Sequence, residues 1–414
     1  MRDLEFDPSE FNPIEPGQLE NPYPVYARAR RNRPVFHSPD LNLWIVTRYA
    51  DITEVEMAPA TFSSVGSLYA STQPHPEVLS VLKQGYVEFL SLVQSDPPDH
   101  TRVRAVFGKA LIPQRVAAME ASTRTLADSL IDSFIQRGEI DIIPEFAYAL
   151  PGLVICDLLG LPRSDLQQLK RWSDANLVLL SGTTPVQHQV ECARDFIEMQ
   201  RYFAGHLEER RQRPGEDLLS LLVPESMGGT APISHQEAVS NAIDLLAAGH
   251  ETTTALLGNG LWLLLHSPEQ LRALREDSRL LPNAIEEMLR MEAPVRGFFR
   301  TTTRDTQLGG VSIPRGARIF IVYASGNRDE AQFAMPDHFD IRREDAKRHL
   351  AFGKGIHFCL GAILARMEAR VAFEHLLRRL PNLRLAPGGL AVRRPYFALR
   401  GFEHLSLAWD MPAA

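Results

Sequence analysis

Hydrophobic and polar positions change period several times along the chain, and each change predicts an element. Residues from Asn21 to Arg33, behind the Pro22 and Pro24 turn, suit a helix, and Leu41 to Tyr49 (LNLWIVTRY) carries the β-branched and aromatic residues of a strand that begins a small sheet. From about Pro98 to Leu222 apolar residues recur at helical spacing, and prolines 113, 151, 162, 185 and 214 cut this bulk into helix-length pieces. The next segment opens with a capping box, Ser234 with Glu237, and meets no proline until Pro268. This predicts one helix of about nine turns at 3.6 residues per turn. A membrane span is the rival reading of this stretch, but Asp244, His250 and Glu251 oppose it. A charge at the centre of a span costs roughly 2.5 to 3.5 kcal/mol, so the pattern favours a helix through a protein core.

A further helix ends near Arg290, and Val295 to Ser325 reads as short strands with turns at Gly309–Gly310 and Pro314–Gly316. More strand signals follow at Leu383–Leu385 and His404–Trp409. Strands at both ends around a helical middle predict a mainly α fold with small β-sheets built from both ends of the chain. No internal repeat, low-complexity tract or Gly/Ser linker divides it. A length of 414 residues could hold two or three domains. The interleaved strands instead favour a single domain over residues 1–414.

Composition narrows the classes. A net charge of −7 gives no electrostatic reason to expect nucleic acid. The start, MRDLEFDPSEFNPIEPG, is acidic and Pro-rich where a secretory signal needs a basic and then an apolar stretch, which predicts a cytoplasmic protein without a membrane anchor. Three cysteines, Cys156, Cys192 and Cys359, lie far apart, leave one over in any disulfide scheme and show no zinc spacing. Cys156 and Cys192 sit in apolar or helical surroundings and read as small buried hydrophobes.

Cys359 differs. It sits in Phe352-Gly-Lys-Gly-Ile-His-Phe-Cys359-Leu-Gly361, with glycines on both sides, directly before a strongly helical run, AILARMEARVAFEHLLRRL. Glycines let backbone approach a flat ligand closely. The positive end of the following helix favours an anion, so the thiol is biased toward the thiolate that soft iron coordination needs. Phe352, Gly355, His357, Cys359 and Gly361 match the F-x-x-G-x-H-x-C-x-G haem loop, and on them the chain resembles the cytochromes P450. The resemblance implies haem b (iron protoporphyrin IX) as cofactor, Cys359 as the axial iron ligand, and the P450 fold. The haem loop from Phe352 and Gly353 to Gly361 would touch the ring.

Other motifs extend the likeness. Ala248-Gly249-His250-Glu251-Thr252-Thr253, in the middle of the long helix, is similar to the family's oxygen-binding motif. That implies that Thr252 supports bound dioxygen, Glu251 relays protons to it and Ala248 faces the haem. A carboxylate and hydroxyls are poor choices for a buried face unless they are used. Gly249 weakens the helix, and a threonine hydroxyl bonding one turn back could bend it there. Glu287-Met-Leu-Arg290 places opposite charges on one helical face. In P450s this E-x-x-R is locked to a later arginine, for which Arg343 of Phe339-Asp340-Ile341-Arg342-Arg343 is the candidate, as a structural trio. His100 and Arg104 (DPPDHTRVR), Arg300 (FFRTTTRD) and His357 stand at positions that imply partners for the haem propionates, since an enclosed pocket must match those charges.

Family positions facing substrate would be Leu245 and Ala248 on the long helix, Val295, Gly297 and Phe298, and Ala398 and Leu399. All are apolar or small, which points to a largely hydrophobic small molecule. Stretches from Ser67 to Gln94 and Leu177 to Val186 resemble the variable lid. The likeness runs from NPYPVYARAR to LRGFEHLSLAW, with small departures at Glu330 and Ser406, where proline is usual. It implies a monooxygenase that takes O2 and inserts one oxygen atom into its substrate. The chain shows no flavin fingerprint and no ferredoxin-like cysteine set, so a separate ferredoxin and ferredoxin reductase are expected as partners. Arg102, Lys109, Lys354 and Arg366 are candidates for a basic docking face. The alternatives are a peroxide-driven peroxygenase, disfavoured by the Glu251–Thr252 pair, and a non-enzymatic haem sensor or binding protein.

Overall fold

A computed structural model describes residues 6–69, 74–86, 91–109, 111–181, 184–223 and 233–411. Of the two expected lid stretches, residues 70–73, 87–90 and 182–183 lie outside the described residues. The chain divides into two compact units, each interleaved in sequence: Met1–Ser63, Val116–Leu150 and Thr252–Ala414 form the first, and Ser64–Arg115 and Pro151–Glu251 the second.

The first unit carries all the strands among the described residues. In chain order they are β1 (Val35–Ser38), β2 (Leu43–Val46), β3 (Phe62–Ser63), β4 (Glu139–Asp141), β5 (Phe298–Thr302), β6 (Thr306–Leu308), β7 (Val311–Ile313), β8 (Arg318–Ile321), β9 (Arg384–Leu385), β10 (Ala391–Arg393) and β11 (Phe402–Ala408). One sheet has the order β1-β2-β8-β5-β3, so a strand from near the N-terminus, β2, pairs in parallel with β8 from the last third of the chain. This is the interleaving that the sequence pattern predicts. Val46, Ile52, Val55, Ile319 and Ile321 form its core together with Tyr323. Burying each such side chain contributes roughly 1.5 to 3 kcal/mol. A second sheet runs β10-β11-β4, with β9 also on β11. The hairpin β6–β7 turns through Gly309 and Gly310, at φ +54 and +81, a left-handed pair that glycine adopts without a Cβ penalty.

The second unit is helical. Helix Leu166–Ser181 packs on Val186–Gln212, and Val78, Val190 and Ala193 form a small core beside them. The prolines act largely as expected: Pro113 opens a helix and Pro185 caps one, but Pro151 sits inside helix Ala149–Leu159 without breaking it. It occupies the first turn, where a missing N–H costs nothing.

The long helix spans His235–Leu265, 31 residues, and belongs to the second unit up to Glu251 and to the first from Thr252. Its capping box is reciprocal: the Glu237 amide donates to Ser234 Oγ at 3.2 Å, and the Ser234 amide to the Glu237 carboxylate at 2.7 Å. Gly249 serves close packing, because a Cβ there would stand 2.5 Å from Ile155 Cδ1. No helix among the described residues is long and apolar enough to cross a membrane.

Candidate functional site

The cysteine loop belongs to the first unit and is held by its own backbone. The amide of Cys359 donates to Phe352 O at 2.9 Å and that of Gly353 to Leu350 O at 2.8 Å, so the ten-residue segment folds back on itself. Gly353 and Gly355 both sit at φ +64. A side chain at Gly355 would in addition place its Cβ 2.5 Å from Glu56 O. Gly361 then caps helix Ala362–Arg379, whose free N–H groups lie just beyond Cys359. Cys359, His357, Phe352 and Gly353 are half-buried. The Arg366 guanidinium lies 4.5 Å over the Phe352 ring.

The donor set fits haem. No cluster of three or more His, Cys, Asp or Glu that could hold a metal occurs among the described residues. A lone cysteine binds a metal durably when the other ligands arrive with it, as the four nitrogens of a porphyrin do. Cys156 and Cys192 are excluded as ligands. Both are buried, and burial pushes the Cys156 thiol up to about 12 and raises that of Cys192.

One contributor was not predicted. Glu56, on helix Tyr49–Met57, has a side chain 1% exposed and lies under the loop. Its Oε1 accepts from Arg300 Nη2 at 2.7 Å and from the Tyr323 hydroxyl at 2.9 Å, and its Oε2 accepts from the Lys354 amide at 2.9 Å. A single carboxylate thus joins the propionate candidate Arg300 to the loop five residues before Cys359. Burial, then the Glu56 charge, raises the Tyr323 phenol well above its ordinary value, which keeps it a donor. A signal was present in the sequence: Glu56 stands four residues after buried Ile52, on the apolar face of its helix.

In the second unit, His100 is buried and Arg104 half-buried, four residues apart on helix Asp99–Phe107. Along the long helix Ala248 is exposed while its neighbours Leu246 and His250 are buried. Leu245 and Thr252 are half-buried, and Glu251 is 4% exposed. His250 Nε2 lies 3.1 Å from Glu251 Oε1, and its Nδ1 lies 2.6 Å from Leu246 O. The imidazole thus stands between a backbone carbonyl and the carboxylate, in contact with both.

The E-x-x-R trio forms in the first unit. Arg290 grips Glu287 through two bonds of 2.7 and 2.8 Å, and Arg343 Nε donates to Glu287 Oε1 at 3.1 Å. Arg290 and Glu287 are fully enclosed, and Arg290 also donates to Asn327 O, Pro336 O and His338 O. Three chain segments are tied to one carboxylate.

Among the substrate-facing positions, Val295 and Leu399 pair as an isolated antiparallel bridge, and the Arg296 amide donates to Ala398 O at 2.6 Å. Val295, Phe298, Ala398 and Leu399 are half-buried. Gly297 is buried, and a Cβ there would reach Ile321 O at 2.0 Å, so the glycine also lets two strands approach. The basic docking face is also weaker than its count of charges suggests. Arg102 is paired with Asp99 and Glu237, and Arg366 with Glu286. The departures from the family pattern have local uses. Glu330 pairs with Arg30 and Arg31, and the Ser406 amide, which proline lacks, donates to Leu390 O at 2.8 Å.

Comparison with known proteins agrees with this geometry. The family profile described as Cytochrome P450 matches residues 90–381. The cytochrome P450 monooxygenase PikC of Streptomyces venezuelae is 38% identical over 397 residues, 94% of this chain and 91% of that protein. The vitamin D(3) 25-hydroxylase of Pseudonocardia autotrophica is 36% identical, with 89% of each chain covered. Among solved structures, cytochrome P450 CREJ in complex with (4-ethylphenyl) dihydrogen phosphate superposes with a TM-score of 0.92 at 30% identity, covering 98% of this chain and all of that one. A thiol loop before a helix, a carboxylate and hydroxyl in mid-helix, and this breadth of similarity together place the chain in the cytochrome P450 family, as a haem-dependent monooxygenase.

Proposed function

We propose that the Cys359 thiolate would hold the haem iron and that the enzyme inserts one oxygen atom into a largely hydrophobic small molecule, with electrons from a separate ferredoxin and reductase. The observation that carries this reading is the pairing of a pre-bent cysteine loop with an enclosed acid next to a hydroxyl in mid-helix. Bound haem supplies the redox iron at which dioxygen is reduced and split. The residues of this chain do the rest. The Cys359 thiolate, stabilised by the following helix terminus, would hold the iron. His100, Arg104, Arg300 and His357 would balance the propionates, and Phe352, Gly353, Ala248 and Gly361 would line the ring.

Glu251 holds a proton at its carboxyl, shared with His250, and passes it to the Thr252 hydroxyl beside it. A buried acid delivers protons singly from a site that water reaches poorly, which suppresses uncoupled release of peroxide. Glu287, Arg290 and Arg343 keep the segment around the loop in place. Leu245, Val295, Phe298, Ala398 and Leu399 offer apolar contacts, and the hydroxylase relatives named above fit that kind of ligand. The chain works as one domain in the cytoplasm.

The test is turnover. Product should form with NAD(P)H, ferredoxin and reductase, and much less with hydrogen peroxide alone. The reverse result would support a peroxygenase instead, and no product with either would favour a sensor.

A further inference from the structure

Apolar substrate contacts leave one group on the long helix unexplained. Asp244 lies one turn before Ala248 and two before Thr252, so the three share a stripe. Ala248 is exposed and Asp244 partly open, whereas Ala242, Ile243 and Leu246 around them are buried. An acid at such a position is unfavourable unless something uses it. Its Oδ2 accepts a hydrogen bond from the Ser91 hydroxyl. Among the described residues no cation pairs with it, and burial pushes its acid up to about 6, with the Ser91 hydroxyl opposing that rise.

Ser91 is fixed in place. The next amide, Leu92, donates to Asn241 Oδ1 at 2.9 Å, and Asn241 is anchored to Glu237 O at 2.8 Å. Gln94, in the same short turn Leu92–Gln94, is 7% exposed, yet its Oε1 accepts no hydrogen bond. Tyr69 feels both Asp244 and Gln94. Burial and the Asp244 charge raise its phenol to about 12, with Gln94 opposing, so it is near both side chains. All five residues belong to the second unit.

Among its described residues the second unit therefore offers, on the stripe of the long helix, a carboxylate without a cation that Ser91 contacts and, on the neighbouring turn, an amide oxygen without a donor. Donors are what is missing. An alcohol offers one, a carboxylate none, and an ammonium group offers donors together with the matching charge. We propose that Asp244, Ser91 and Gln94 form a polar anchor that binds the protonated amine of an otherwise apolar substrate. The inference rests on the monooxygenase reading and adds a substrate class to it: hydrophobic amines, oxidised away from the anchored nitrogen.

The experiment uses the ferric holoenzyme near pH 7.5 and three probes with one carbon chain, dimethyldodecylamine, dodecanol and dodecanoic acid, followed by the Soret band. The amine is expected to shift the band to shorter wavelength, as water leaves iron, with a Kd roughly tenfold to a hundredfold below that of dodecanol, the span of one charge-assisted contact. Dodecanoic acid should bind weakest. Asp244→Asn should erase the amine preference and leave dodecanol binding within about twofold. Equal binding of amine and alcohol by the wild type, no shift with the amine, or a preference that survives Asp244→Asn would overturn the proposal. A shift to longer wavelength would also overturn it, because the nitrogen would then be on iron. Failure of the haem reading looks different: a protein with no Soret band at all.

Discussion

Glu56 is the residue whose removal should harm the site most without touching its chemistry. Its carboxylate is the one counter-charge that the Arg300 guanidinium meets, in a place where both side chains are at most 5% exposed. Before haem binds, Glu56→Ala would leave that guanidinium buried without its carboxylate, a change that costs about 3 to 5 kcal/mol in comparable pairs, and a propionate at Arg300 would offset part of it in the holoprotein. The Tyr323 hydroxyl and the Lys354 amide lose their acceptor in the same step. Their cost, about 1 to 3 kcal/mol for a fully buried group, overlaps with the first and does not simply add. Glu56→Gln keeps the shape and one oxygen, so its loss should be smaller, near 1.5 to 3 kcal/mol.

Against a total stability of about 5 to 15 kcal/mol, the alanine variant should be severely weakened. Because Lys354 is in the cysteine loop, haem should also leave faster. The assay is denaturant unfolding of the holoprotein followed at the Soret band and by far-UV circular dichroism, together with the rate of haem transfer to a scavenger. If Glu56→Ala unfolds within about 0.5 kcal/mol of the wild type, the range of ordinary surface substitutions, and holds haem equally well, then the carboxylate does not organise this site.

Other expectations follow from the same structure. Glu287→Ala should cost about 3 to 5 kcal/mol by stranding Arg290 and Arg343, and should appear mainly as lost soluble holoprotein in expression trials. Thr252→Ala should keep the absorption spectrum and divert reducing equivalents to peroxide, measured as hydrogen peroxide per NAD(P)H consumed; unchanged coupling would count against the role of that hydroxyl. Asp244 has its folded acid pushed up from 3.8 to about 6, so the fold disfavours its ionised form. Ligand-free wild type should lose stability as pH rises from about 4 to about 6, and Asp244→Asn should not, a gap of at most about 3 kcal/mol above that window. Glu286 has the opposite sign. Burial would raise it, but Arg366 and His349 hold it down to about 2, so its contribution is present above 4.5 and lost as acid approaches about 2, as unfolding curves across acid pH would show.

Much of the fold was legible because long periodic segments decide their own structure. The capping box at Ser234 fixed the start of the long helix to the residue, and the glycine pairs at 309–310 marked a true hairpin. Strands β4 and β10, three residues each, were invisible: Glu139–Asp141 buries a single apolar side chain, Ile140, and owes its strand to β11, far away in sequence. The cysteine loop and the trio of Glu287, Arg290 and Arg343 could be found because their chemistry is local or motif-bound. Glu56 and Asp244 were harder, since each takes its meaning from partners remote in sequence, Arg300 and Tyr323 for one and Ser91 for the other. Both left the same trace, a carboxylate on an apolar helical stripe. Gly297 carries a second constraint that the motif does not show, the close approach of Ile321 O.

The central claim is that the Cys359 thiolate binds the haem iron, and the most direct measurement is the absorption spectrum of the reduced protein with carbon monoxide. A strongly red-shifted Soret band, as thiolate ligation would give, is predicted for the wild type and should vanish in Cys359→Ala while it survives in Cys156→Ala and in Cys192→Ala. A wild-type band at the position given by a histidine-ligated haem, or a Cys359→Ala protein with the red-shifted band intact, would contradict it.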